Sequence, residues 1–315
     1  RFKTGGDCYG ICSVKTPSFH RSYLSKNLIS TFTYCDYVLQ KHPGDKIYEP
    51  GGTEGAFDIA TGQVKNKSAV PTYTSVFGKT LTALGKEDDR IVGITAAMGK
   101  GTGINLFQEQ FPQRTIDVGI AEEHAVTMAA AMALDGYKPV VAIYSTFLQR
   151  CYDNILHDVC LQNLPVKMLV DRAGVSVGDG ATHHGIFDVA FLSQIPNIKI
   201  FTPITNQLLA ECMRKALNSD CPCAIRYPSG FESKVLIDRF YGKQASFTGL
   251  KSDFGANDTI DAMIITHGRI ALEAVKAADA AKEKGIRVGI ILLEMLKPYD
   301  VTAGKVSDMI PQSTK

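Results

Sequence analysis

The sequence predicts an α/β fold, a parallel sheet with helices on both faces followed by a second, partial α/β domain. Three observations lead there. From residue 72 onward helical patterns and short apolar, β-branched runs alternate, and strands separated by helices pair in parallel. A turn-rich break over 229–258 separates this series from a second, shorter one. The 315 residues suffice for two domains of ordinary size, and 45% hydrophobic with 21% charged residues is a globular composition.

Taken in order, residues 73–84 have helical periodicity, and Ile91-Val92-Gly93-Ile94-Thr95 reads as a buried strand. A strand over 116–120 leads directly into a helix over 122–134. Strand 139–144, helix 146–161, strand 166–171, helix 186–194, strand 198–202, helix 206–217 and strand 224–227 follow. After the break come strand 262–266, helix 270–284, strand 288–293 and a turn at Lys297-Pro298. Residues 1–70, rich in Gly, Ser, Thr, Lys and Tyr, read as an arm or linker that ends in Glu49-Pro50-Gly51-Gly52. The expected divisions are therefore 1–70, 71–245 and 246–315.

Thirty-four basic and thirty-two acidic side chains give a net charge of +2, which offers no general basis for binding nucleic acid or an anionic membrane. No apolar run approaches the roughly 20 residues of a membrane span. Eight cysteines, several inside apolar helical patterns (Cys151, Cys160, Cys212), read as reduced buried thiols and fit a cytoplasmic compartment. No metal site is expected: Cys8, Cys12 and His20 lack a second paired knuckle, and Cys35 is too distant to complete a usual spacing. The start at Arg1 lacks the features of a signal peptide and is expected to be a processed or truncated end.

In an open parallel sheet ligands bind beyond the carboxyl ends of the strands, so the residues that follow the strands are the candidates. They are Glu122, Tyr144 to Arg150, Arg172, Asp179 to His183, and Arg226; Lys100-Gly101-Thr102-Gly103 precedes Ile104. By local pattern alone each has two readings. Glu122 is either a carboxylate complementing a helix dipole or a desolvated acid that exchanges a proton near neutrality. Phe147 is either core or a stacking platform, and the arginines either surface ion pairs or phosphate forks. His183 is either a solvated loop residue or a proton carrier.

The neighbouring residues carry a resemblance. Asp117-Val118-Gly119-Ile120-Ala121-Glu122-Glu123-His124, Tyr144-Ser145-Thr146-Phe147-Leu148-Gln149-Arg150, Asp171-Arg172-Ala173-Gly174 and Asp179-Gly180-Ala181-Thr182-His183-His184-Gly185 resemble the pyrimidine-binding domain of the 1-deoxy-D-xylulose-5-phosphate synthase family, in the transketolase superfamily. The likeness runs over about 71–228, and more loosely over 260–298 into the transketolase-type C-terminal domain.

The resemblance implies thiamine diphosphate as cofactor, with Mg2+, and Glu122 as the carboxylate that activates it through the aminopyrimidine ring nitrogen. It also implies that Phe147 stacks on that ring with Arg150 beside it. Tyr144, Arg172 and Arg226 would hold the phosphate of glyceraldehyde 3-phosphate, while Asp179 and His183 face substrate oxygens, His183 with a catalytic proton. The implied reaction decarboxylates pyruvate and transfers the two-carbon unit to glyceraldehyde 3-phosphate, for isoprenoid and thiamine biosynthesis.

The family also needs a diphosphate domain, marked by Gly-Asp-Gly and a later asparagine that together hold the metal. Gly178-Asp179-Gly180 and Asn206 have an acceptable spacing, but Arg172 to Val177 separate the motif from its strand, so it is read as a substrate loop. The diphosphate domain is therefore expected to be missing, with 1–70 a remnant of its end and the metal ligands elsewhere. The chain is expected to be a fragment or a split subunit, inactive alone, working as a homodimer or with a diphosphate-domain partner. Two other readings remain: the C-terminal subunit of a split transketolase or a 2-oxoacid dehydrogenase β subunit, and a non-catalytic scaffold remnant.

Overall fold

In the computed structural model the described residues are 70–176, 180–242, 245–255 and 257–310. The expected arm over 1–70, with Cys8, Cys12 and His20, lies outside them except for Val70. Val70–Val118 and the described residues from Glu122 onward form one compact unit.

Its main sheet is built from β1 (Ile91–Thr95), β2 (Thr115–Asp117), β3 (Lys138–Tyr144), β4 (Lys167–Asp171), β5 (Lys199–Phe201), β6 (Cys223–Arg226) and β10 (Met295–Lys297), in the order β10-β5-β6-β4-β3-β1-β2. All neighbours pair in parallel except β10, which runs antiparallel to β5. Strand alternation sorts the side chains between two cores. Val92, Ile94, Val141, Ile143, Met168 and Val170 face one core, with Ala125, Val126 and Ala129 of helix α4 (Glu122–Leu134). Ile91, Val140, Ala142, Leu169 and Ile225 face the other, with Phe77 and Leu81 of α1 (Tyr73–Glu87) and Leu209 of α8 (Asn206–Leu217). Helices therefore cover both faces, as the buried strands require.

Two helices are cut to suit their ends. Thr72 caps α1, its side chain accepting from Ser75 N at 3.2 Å, and Thr205 caps α8, accepting from Leu208 N at 3.0 Å. A second sheet, β7-β9-β8, joins β7 (Leu250–Ser252), β8 (Ala262–His267) and β9 (Val288–Leu293), with β8 and β9 parallel and β7 antiparallel. Ala271, Ala274, Val275 and Ala278 of α10 (Ala271–Glu283) pack on it with Ile290, Leu292, Leu236 and Phe240.

Several elements depart from the sequence reading. The strand expected over 116–120 ends at Asp117, and Gly119 takes the left-handed φ of 71°. The single helix expected over 146–161 is α5 (Ser145–Leu148), a 3-10 turn at Gln149–Cys151, α6 (Tyr152–Asn154) and a π-helical stretch at Ile155–Cys160. Leu161 N donating to Leu156 O at 2.9 Å closes that wider turn. The break over 229–258 holds α9 (Lys234–Phe240), capped by Ser233, and β7. Two unexpected helices, α2 (Gly99–Thr102) and α3 (Asn105–Gln110), follow β1, while the helix expected over 186–194 is present as α7 (Asp188–Gln194). The last described helix, α11 (Tyr299–Met309), follows a cis Lys297-Pro298 bond. Most of these pieces are too short to register as periodicity.

Candidate active site

The chain leaves β1 for the sheet edge at β2 and returns across it to β3, so its direction of growth reverses between β1 and β3. That reversal opens a crevice at the carboxyl ends of the strands. The segments beyond β1, β3 and β4 meet there. A methyl group on Gly101 of α2 would collide with Tyr144 Oη at the end of β3. Arg172, just beyond β4, donates from Nη1 to Gly101 O at 2.7 Å, and its guanidinium carbon lies 3.8 Å from the Tyr144 ring centroid. Cation and ring are thus held face to face over a glycine backbone.

Arg172 is itself held in a conformation that side chains rarely adopt, with φ 59°. Asp171 Oδ1 accepts from Arg172 N at 2.6 Å, and Thr74 Oγ1 donates to Asp171 Oδ2 at 2.8 Å. Asp171 is wholly buried, and desolvation pushes its carboxyl up to about 6 despite Arg172 beside it. Strain of this kind, about 1–3 kcal/mol for a non-glycine residue, persists where the surroundings over-determine the backbone, often at functional sites.

Glu122 opens α4 with its side chain buried. Oε1 accepts from Arg150 Nη1 at 2.5 Å, while Oε2 is buried with no hydrogen-bond partner among the described residues. Burial raises its pKa; its own backbone N–H and Arg150 oppose that shift without cancelling it. Because Arg150 is 47% exposed, solvent screens much of its charge. An unpartnered buried oxygen costs about 1–3 kcal/mol, so the fold retains an acceptor it does not itself satisfy.

Phe147 links the two groups. Its ring stacks on Tyr144 with centroids 5.9 Å apart and an interplanar angle of 19°. It also meets His183 edge-on at 5.4 Å, and the Arg150 guanidinium stands 5.1 Å from its centroid. The loop carrying His183 is closed at its base by Gly174 N to Gly185 O, 2.7 Å, and Gly185 N to Gly174 O, 2.8 Å. Thr146 Oγ1 donates to Thr182 O at 2.9 Å and ties the loop to α5, and Thr182 Oγ1 lies 3.0 Å from His183 Nδ1. Asp179 and Gly178 lie outside the described residues.

Glu122, Tyr144, Phe147, Arg150, Arg172 and His183 are therefore joined by a continuous run of contacts. Arg226, on the next strand and in register with Val170, is engaged differently. Its Nε and Nη2 grip Asp188 in a buried fork at 2.7 and 3.1 Å, and Nη1 reaches His267 Nδ1 at 3.2 Å. Burial, reinforced by the Arg226 charge, lowers His267 to about 4, so near neutrality it is uncharged and its Nδ1 accepts from Arg226.

Sequence reasoning missed Thr74, Asp171, Asp188 and His267 as parts of this region. His267 ends β8, so the strand-end rule applied to the second series would have found it; Thr74 offers no such signal, since its role depends on α1 lying against β4. Among the described residues no group of three or more His, Cys, Asp or Glu could hold a metal, and no helix is long and apolar enough to cross a membrane.

Residues 69–230 match the model of the transketolase pyrimidine-binding domain. Over 246 residues the chain is 47% identical to 1-deoxy-D-xylulose-5-phosphate synthase of Halothermothrix orenii, covering 78% of this chain and 38% of that protein. The chain spans about two fifths of the length of the curated relatives it matches. Among solved structures it is similar to a split gene transketolase described as an inactive beta4 tetramer, with TM-score 0.63, 26% identity, and coverage of 78% of this chain and 79% of that one. Transketolase of Campylobacter jejuni shares the fold at TM-score 0.64 and 16% identity, over 84% of this chain and 40% of that one. By this match and by the strand ends it brings together, the chain belongs to the transketolase pyrimidine-binding domain family.

Proposed function

We propose that this chain is the cofactor-activating part of a thiamine-diphosphate-dependent 1-deoxy-D-xylulose-5-phosphate synthase, acting on pyruvate and glyceraldehyde 3-phosphate. The observation that carries the reading is the Glu122 carboxyl, which is buried, raised in pKa and half satisfied. An aminopyrimidine fits such a group, because its ring nitrogen can share a proton with Oε2 while Arg150 holds Oε1. Phe147, fixed between Tyr144 and His183, offers an aromatic face beside that carboxyl. When bound, thiamine diphosphate supplies the electron sink for decarboxylation and two-carbon transfer.

This chain's share is to orient and to move protons. Glu122 holds or releases a proton at Oε2. Tyr144 and Arg172 bind the substrate phosphate, with Arg226 joining them through Nη1 in place of its contact with His267. Asp179 and His183 face the substrate hydroxyl and carbonyl oxygens, His183 carrying a proton. The diphosphate and Mg2+ are held by a separate diphosphate-binding polypeptide or domain, and the working unit is a homodimer or a complex with that partner. The domain limits we adopt are an arm over 1–70, the pyrimidine domain over 71–245 and a partial transketolase-type C-terminal domain over 246–315. The separate β7-β9-β8 sheet supports the last division, although β10 returns to the main sheet.

A second reading, the C-terminal subunit of a split transketolase, is favoured by the similarity along 79% of a split gene transketolase chain. Calorimetric titration with thiamine diphosphate and Mg2+, alone and with a diphosphate-domain polypeptide, followed by a pyruvate decarboxylation assay, tests both. Binding and decarboxylation only in the mixture, both lost in Glu122→Gln, are expected. A mixture that uses a ketose phosphate as donor and leaves pyruvate intact selects the second reading, and no binding in either sample overturns both in favour of a scaffold.

A further inference from the structure

At the opposite edge of the main sheet from this crevice, the first residues of three neighbouring strands stand side by side. Cys223, which starts β6, is in register with Lys167, which starts β4, and with Lys199, which starts β5. The bend before β6 adds Cys221. The two sulfurs share Ser219: its Oγ lies 3.3 Å from Cys223 Sγ and 3.8 Å from Cys221 Sγ, and Cys223 Sγ also donates to Cys221 O at 3.4 Å. Two thiols separated by a single proline therefore converge on one hydroxyl between two cationic side chains.

Lys167 makes the arrangement unusual. It is 1% exposed, and its Nζ donates to Ser219 O at 2.8 Å, Cys221 O at 2.7 Å and Ser219 Oγ at 3.4 Å. These acceptors are all neutral, so its charge is left to act on the bend it braces. A buried ammonium without an anion in contact favours a negative charge nearby, and burial accordingly lowers its pKa. The other charged and titratable groups that bear on the pair are Lys199, Asp220 and Cys160.

The thiols differ in setting. Cys223 is fully buried and Cys221 half-buried, so a small oxidant reaches Cys221 first. The neighbouring Cys223 thiol, with Ser219 and Lys199, shifts Cys221 toward the thiolate, while Cys221 beside it and burial keep Cys223 protonated. Cys151, Cys160 and Cys212 are buried and raised in pKa, chiefly by desolvation, which leaves them inert.

We propose that Cys221 is a peroxide-reactive thiol and Cys223 its resolving partner, a reversible modification site remote from the active-site crevice. The Cys221 thiolate attacks one oxygen of a hydroperoxide; an S–O bond forms, the O–O bond breaks, and the departing alkoxide or hydroxide takes a proton from water or Lys199. The Cys223 sulfur then attacks the sulfenic sulfur, an S–S bond forms, the S–O bond breaks, and the thiol proton leaves with the hydroxide as water. Overall two thiols and one hydroperoxide give a disulfide, an alcohol and water; sulfur is oxidised and the peroxide reduced.

The test is convenient because trypsin releases both cysteines, and no other, in the peptide 216–226. The 315-residue chain is treated with hydrogen peroxide, quenched with an alkylating agent, digested and weighed. The expected product is that peptide lighter by two hydrogens and unalkylated, formed at least about tenfold faster in the folded chain than in urea. Cys223→Ser should stop at a sulfenic acid on Cys221 that a dimedone probe captures, and Lys199→Gln should slow the reaction while the fold persists by circular dichroism. Equal rates in folded and unfolded chain, or oxidation at Cys160 or Cys212 with 216–226 still reduced, would overturn the proposal.

Discussion

Glu122→Gln separates what the fold wants from what the proposed chemistry needs. Burial raises the Glu122 pKa, so its contribution to stability is fully present below the ordinary glutamate value and is lost as pH rises through the raised folded value. Each unit of elevation costs the folded state about 1.4 kcal/mol once the carboxyl ionises. Glutamine removes that cost and keeps an acceptor for Arg150, losing only the charge assistance, worth roughly 1 kcal/mol against a half-exposed guanidinium. The variant should therefore match the parent at low pH and equal or exceed it at pH 8, the difference growing as pH rises through the raised Glu122 value. Each kcal/mol of that difference moves the melting temperature by roughly 2–4 °C for a unit of this size. Urea denaturation at a series of pH values is the assay. A variant less stable than the parent by more than about 2 kcal/mol at every pH would refute the reasoning, since Glu122 would then anchor Arg150 for the sake of the fold.

Two further outcomes follow from the packing around the crevice. Gly101→Ala places a methyl against Tyr144 Oη and should cost about 1–3 kcal/mol by denaturation, while displacing the phenol from Arg172 and weakening phosphate binding by calorimetry. Asp188→Ala strips the buried Arg226 of its carboxylate and should cost about 3–5 kcal/mol, whereas the paired replacement Asp188→Leu with Arg226→Met should recover most of that loss; a mild single variant with no recovery would show that the fork is not what holds these elements.

The alternation of helices and buried strands was legible because the central strands β1, β3, β4 and β6 are apolar enough to be covered on both faces, and the strand-end rule then located Glu122, Tyr144, Arg172 and Arg226 without any knowledge of their contacts. Length limited the reading elsewhere. The helix α9 and strand β7 are too short for periodicity to register, and the π-helical turn at Ile155–Cys160 keeps an apolar pattern that an ordinary helix would also satisfy. The antiparallel return of β10 to β5 is a pairing between residues far apart in the chain, and three residues carry no mark of their distant partner.

By itself, then, the order of residues determined the fold class, the positions of the strand ends and the chemical types placed there, since these depend on hydrophobic period and local turns. Tertiary structure alone decided how those groups are used. It set Arg150 on one oxygen of Glu122 and left the other unpartnered, fixed Arg172 over the Tyr144 ring, and committed most of the Arg226 fork to Asp188. It also gathered Lys167, Lys199, Cys221 and Cys223 at the far edge of the sheet. The physical reason is that pKa, burial and hydrogen-bond satisfaction are properties of neighbours in space, which strand order supplies and sequence spacing does not.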